Sequence, residues 1–283
     1  MAPSRCICIR VEEAPMWNPL SACCRTSHHP PTARDRAFPG RKFGAGVIFT
    51  ALTLLSGGSQ TAQAQLGLAW NDCAVGGQKT LTFSCDRNDG SALLVGSLVS
   101  PSGIVALSGI EATLDCQAGT TTLPDWWTFG SGCAARSSAL TAVFDFTHLS
   151  SCSDYWQGQA FGSVNIQPGF GGSNRMKLVV TGTMDGSAVG PVVPNQSYYA
   201  FALRISYAGT TGPGACSGCG AGACIALNSV TLRQVPPYST ITVTYPGSNV
   251  ATWQPAGYPA PGSCIVITPV RAATWGSIKS LYR

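Results

Sequence analysis

From Tyr198 to Tyr207 the chain alternates with a period of two. Tyr199, Phe201, Leu203, Ile205 and Tyr207 share one face, and Tyr198, Ala200, Ala202, Arg204 and Ser206 share the other. Aromatic and β-branched residues at every second position define a strand with one face against a core. A second strand, Cys224 to Leu232, follows a loop rich in Gly and Cys, and the two are expected to be neighbours with a stapled connection.

The same reading extends along the chain. Gln65–Trp70, Lys79–Cys85, Ser91–Val99, Ile104–Cys116 with a bulge at Gly109, Ser138–Phe146, Arg175–Thr183, Thr240–Tyr245 and Ile265–Thr268 all read as strands. Gly76-Gly77, Asp86–Gly90 and Pro101-Ser102-Gly103 supply turns between them. The total is about ten strands with no long amphipathic helix. This predicts an all-β, antiparallel β-sandwich, jelly-roll or Ig-like, and excludes βαβ units. A short C-terminal helix is expected from Thr274 to Arg283, with Trp275, Ile278 and Tyr282 on one face.

The first 64 residues stand outside this pattern. Arg41-Lys42, the apolar run Phe43–Leu55 and Ala62-Gln63-Ala64 have the form of a secretory signal peptide cleaved after Ala64. The alternative, a membrane anchor, requires a longer apolar run. Residues 1–64 are therefore read as an upstream extension plus signal peptide, 65–234 as the sandwich domain, and 235–283 as an appended segment packing on it. Pro236-Pro237 marks that last boundary.

Removing the leader changes the charge picture. The whole chain of 283 residues carries a formal charge of +5, with 17 basic and 12 acidic side chains. Seven of the basic and three of the acidic residues precede Gln65, so the remaining 219 residues carry only +1. That is no electrostatic footprint for nucleic acid. The mature chain is expected outside the cell or in the periplasm, with no membrane span.

Of 13 cysteines, nine lie after residue 64. In an exported chain they read as disulfides. Cys73, Cys85, Cys133, Cys152, Cys216, Cys219, Cys224 and Cys264 are the candidates. Short-loop closure favours Cys73–Cys85, Cys133–Cys152 and one bond within Cys216, Cys219 and Cys224. Cys116 extends the apolar alternation Ile110, Ala112, Leu114 and is expected to stay unpaired. The alternative for Cys216-x2-Cys219-x4-Cys224 is zinc, but no fourth ligand lies in that loop. Asp86–Gly90 could offer calcium its oxygens, although the spacing is that of a tight turn.

Two aromatic clusters are the candidate ligand site. Asp125, Trp126 and Trp127 precede Cys133, and Asp154, Tyr155 and Trp156 follow Cys152. Joined by a Cys133–Cys152 bond, they could form a sugar platform, with rings stacking on C–H faces and carboxylates accepting from hydroxyls. The competing reading makes the same rings core. A glycosidase needs a carboxylate pair, for which Asp125 and Asp154 are the candidates. His148 is the one histidine and Glu111 the one glutamate after residue 64, and no nucleophile elbow or metalloprotease motif occurs there. No metal or cofactor is expected. The functional expectation is a non-catalytic extracellular binding module for glycan or another surface polymer. The alternative is a structural or adhesive surface protein without a small ligand.

The closing stretch Thr274-Trp275-Gly276-Ser277-Ile278-Lys279-Ser280-Leu281-Tyr282-Arg283 resembles the end of a group of uncharacterised secreted proteins from environmental bacteria. The resemblance extends to Leu123–Trp127, Cys152–Trp156 and Tyr198–Phe201. It implies an exported β-rich bacterial protein and no particular reaction.

Overall fold

The computed structural model describes residues 65–130, 132–185, 190–244 and 249–255. The C-terminal helix, the strand Ile265–Thr268 and Cys264 lie outside them, as does the leader. The described chain is all-β. Its strands are β1 (Leu66–Trp70), β2 (Thr80–Leu81), β3 (Ser91–Val99), β4 (Leu107–Ala118), β5 (Leu140–Val143), β6 (Phe161–Pro168), β7 (Arg175–Thr183), β8 (Ser197–Ser206), β9 (Ala223–Gln234), β10 (Ile241–Thr244) and β11 (Val250–Trp253). Only short 3-10 turns, Asp125–Trp127 and Ala134–Arg136, interrupt them as helix.

Two sheets result. One has the order β1-β3-β8-β5, and the other runs β2-β11-β9-β4-β7-β6 with β10 also paired to β9. All pairs are antiparallel except β2 with β11. The organising strands β8 and β9 are not neighbours. β8 pairs β3 and β5, whereas β9 pairs β4, β10 and β11. The loop between them is long enough to change sheets, which a period-two pattern does not reveal.

Inward side chains of both sheets enter one core. Leu94, Phe201 and Leu203 come from the first sheet; Ile110, Leu114, Leu178, Val180, Val230 and Leu232 come from the second. Trp70 Nε1 of β1 donates to Thr252 O of β11 at 2.9 Å, tying the sheets directly. The segment after Pro236-Pro237 adds β10 and β11 to the larger sheet.

β8 is buried on both faces through Leu203, and only Arg204 is exposed. The stretch around Ser153 pairs with the edge of β8 as an isolated parallel bridge. Ser153 N donates to Ser197 O at 2.9 Å, and Tyr199 N donates to Ser153 O at 3.1 Å.

Three disulfides join pairs of described residues, and none is one that short-loop closure favoured. Cys73 joins Cys152, Cys85 joins Cys219, and Cys133 joins Cys216, across 79, 134 and 83 residues. Each links loops that the sheets bring together, so tertiary packing decides the pairing. Cys224 is also disulfide-bonded, so no thiolate of the Cys216–Cys224 loop is left for zinc. Cys116 is free and fully buried, and burial, with Asp115 beside it, pushes its thiol pKa well up. We expect the oxidised chain from Gln65 onward to titrate one thiol, reactive toward a thiol reagent only after denaturation. Two or more thiols, or a fast reaction in native buffer, contradicts four bridges with Cys116 in the core.

Two side-chain oxygens of the Asp86–Gly90 turn are engaged within the fold. Asp86 Oδ1 accepts from Ser84 Oγ at 2.6 Å, and Asn88 Oδ1 accepts from Thr210 and Thr211 backbone N–H at 2.8 and 3.0 Å. Gly90 turns the chain at φ 87°. The loop is a fastener to the Thr210 turn.

Candidate functional site

The first predicted aromatic cluster is core. Trp126 and Trp127 are fully buried and pack with Trp253, at ring separations of 5.0 and 5.8 Å. Trp253 also meets Trp70 and Phe83, both at 5.8 Å. Trp126 Nε1 donates to Thr210 Oγ1 at 3.0 Å. Arg136 stacks on Trp126 at 3.7 Å and closes the cluster from the 3-10 turn.

The second cluster is core as well. Tyr155 OH accepts from Leu107 N at 2.9 Å, and Trp156 Nε1 donates to Tyr199 O and Ala200 O at 3.0 Å. Trp156 also meets Phe144 edge-on at 5.6 Å. The two clusters have different neighbours, and the Cys133–Cys152 link that was to join them is not made. A sugar cannot stack on rings with no exposed face, so these four rings form no platform. Their carboxylates are local fasteners. Asp154 Oδ1 accepts the N–H of Trp156 and Gln157 at 2.9 and 3.0 Å, and exposed Asp125 accepts from Ser217 Oγ at 3.3 Å. Asp154 thus caps its own turn, while Asp125 links its turn to the Ser217 loop.

One further polar knot lies beside Cys73–Cys152. Asp72 accepts from Tyr199 OH at 2.7 Å and Ser151 Oγ at 2.6 Å. Burial raises its carboxyl pKa, but these bonds and the Cys73 N–H outweigh that and leave it below the ordinary value. It anchors the loop carrying the second aromatic cluster.

The open surface lies elsewhere, on the outer face of the larger sheet. Register places Phe161, Thr183 and Gly109 in one row, with Arg233 beyond Gly109. The next row holds Ser163, Thr181, Glu111, Thr231 and Thr242. Alternation sends these side chains away from the core while Val180, Ile110 and Leu232 point inward. The hydroxyls pair laterally: Ser163 with Thr181 at 3.1 Å and Thr231 with Thr242 at 3.0 Å. Arg233 Nη2 meets Glu111 Oε2 at 3.0 Å, both partly exposed.

At the end of these rows is a cleft of about 530 Å³, walled by Ser108, Phe161, Ser163, Thr181, Thr183 and Arg233 among others. Two sequence features shape its floor and rim. Gly162 and Gly182 are register partners whose missing Cβ would run into the Phe144 ring on the core side, so they let the sheet lie directly on that ring. The register shift between Leu107 and Gly109 places a bulge at Ser108, near the expected Gly109, which turns Ser108 toward Arg233 O and Thr183. Phe161 stands 71% exposed at the cleft wall. The cleft thus offers one ring face, several hydroxyls and one cation with its counter-ion.

None of these residues was a candidate in the sequence. The available signal was Val164 and Ile166 alternating with Ser163, Asn165 and Gln167, which identifies β6 and leaves Phe161 on the polar face.

Comparison with known proteins adds little. No family model matches the chain, and no curated protein matches it. Among solved structures it is similar to the cohesin module from a Clostridium perfringens family 33 glycoside hydrolase. That overlay has 6% identity and a TM-score of 0.29, and covers 64% of this chain and 96% of that one. At that score the overlay carries no argument about function. Among the described residues, no helix is long and apolar enough to cross a membrane.

Proposed function

We propose that this is an exported, non-catalytic extracellular binding module whose ligand is a glycan or another hydroxyl-rich surface polymer. The two sheets form the sandwich, of jelly-roll or Ig-like kind, that carries the cleft. The observation supporting the reading is Phe161, a large ring left exposed beside lateral rows of hydroxyls and the Arg233–Glu111 pair. A ring face and fixed donors and acceptors are what pyranose C–H faces and hydroxyls require. Disulfides across loops support an oxidising compartment.

The reading leaves out catalysis, because Glu111 pairs with Arg233, Asp125 accepts from Ser217 of a distant loop and Asp154 caps its own turn. A second reading, a structural or adhesive surface protein without a small ligand, draws on the burial of Trp126, Trp127, Tyr155 and Trp156.

The test is a glycan array on the exported chain, followed by Phe161→Ala. Loss of an exposed stacking ring should weaken binding by about 1–3 kcal/mol while thermal stability shifts by under about 0.5 kcal/mol. Binding that is unaffected by Phe161→Ala removes the cleft from the account. No binding to any polysaccharide leaves the structural reading.

A further inference from the structure

We propose that β6 is a self-association edge, pairing antiparallel with β6 of a second copy of this chain. β6 closes the larger sheet and pairs only with β7. Other sheet ends are short: β2 has two residues, β5 four and β1 five, against eight in β6. Short edges are one way proteins blunt unwanted pairing, and charge or an interior proline are others. β6 uses none of these. Its sequence FGSVNIQP has no charged residue, and its proline is terminal.

The direction of its free hydrogen-bonding groups follows from the ladder. Gly169 N donates to Arg175 O at 2.7 Å, one step beyond the Pro168↔Met176 pair. Bonded and non-bonded pairs alternate along an antiparallel ladder. Odd-numbered residues of β6 therefore face β7, and the N–H and C=O of Gly162, Val164 and Ile166 face outward. Among the described residues nothing bonds to them. Pro168 falls at the next outward position, where the absence of an N–H costs the β6–β7 ladder nothing.

The occupant is a second copy because the strand is complementary to itself. A two-fold axis at Asn165 sets Val164 of one copy opposite Ile166 of the other, twice. Both are only half-buried on the core side of the edge, so pairing covers apolar surface that one copy leaves open. Gly162 then lies opposite Pro168 and still donates to its carbonyl. With no charge on β6, like strands meet without repulsion. Asn165 faces Asn165 on the outer, polar face, the same face as Phe161, so two clefts would serve one extended polymer.

The inference does not rest on the cleft. Asn165 is not one of its walls, so loss of self-association and loss of ligand are separate readouts. Light scattering on the exported chain should give a dimer mass. Asn165→Lys sets two like charges opposite each other and should weaken self-association at least about tenfold, as should Asn165→Asp. An equimolar mixture of the two variants should recover the dimer. Asn165 is exposed, so melting of the variants serves as the folding control. A monomeric parent, variants that dimerise like the parent, or a mixture that stays monomeric would each overturn the proposal. So would a monomeric parent whose β6 amides gain exchange protection only from an added uncharged extended peptide, an outcome that assigns the edge to a foreign strand.

Discussion

Trp253→Ala should lower the stability of the folded chain by about 3–5 kcal/mol, the upper range for truncating a buried aromatic side chain. Trp253 is fully buried and sits within 6.4 Å of five other rings: Trp70, Phe83, Trp126, Trp127 and Tyr207. Its Nε1 donates to Cys219 O at 2.8 Å, beside the Cys85–Cys219 bridge. Alanine removes the ring, opens a cavity among five aromatics and leaves a carbonyl without its donor. These effects add in one direction, and no collapse of such large, disulfide-held neighbours can fill the gap. Chemical denaturation of parent and variant measures it. Trp127→Ala should fall in the same range, because it packs with Trp126, Phe129 and Trp253. A loss below about 1 kcal/mol at both sites would place these rings at the surface and reopen the sugar platform.

That result bears on what the sequence could reveal. Apolar runs and period-two alternation marked β1, β3, β4, β7, β8 and β9, whose side chains meet the core on one face or are buried on both. They also marked Cys116 as a core residue. They missed β6, whose polar and glycine positions dilute the signal, and β11, which is only Val250–Trp253. The assignment of β8 and β9 to different sheets, and all three bridges, depend on which loops meet in space. Spacing along the chain holds no such information. The aromatic clusters were visible as clusters, but a tryptophan beside an aspartate reads the same in a binding face and in a capped core turn. The cleft was illegible for a further reason. It is built from bulges, glycines and common hydroxyl residues, whose meaning appears only when register places them in one row.

Arg136 is the other residue with a large expected effect, and its sign is set by two opposing contributions. The side chain is fully buried. Burial lowers its guanidinium to about 10, so it stays charged at neutral pH. Burying a charge is unfavourable by several kcal/mol, and an apolar replacement recovers that penalty. Against this, Nε donates to Trp126 O at 2.7 Å, and Nη1 donates to Ser206 O and Ala208 O at 2.9 and 2.7 Å. The cation also stacks on Trp126 at 3.7 Å. Arg136→Met keeps the bulk, but it strands three carbonyls, each worth about 1–3 kcal/mol when left unsatisfied. Their sum exceeds the recovered penalty, and the expected net loss is about 2–4 kcal/mol. Arg136→Lys tests the geometry separately from the charge. One ammonium cannot reproduce the planar fork that reaches all three carbonyls, so it should lose nearly as much as methionine. Urea unfolding of both variants decides between the terms. A stabilised Arg136→Met protein means that the desolvation penalty wins, whereas a lysine variant equal to the parent means that charge alone, not the fork, holds the Ala134–Arg136 turn to the β8 end.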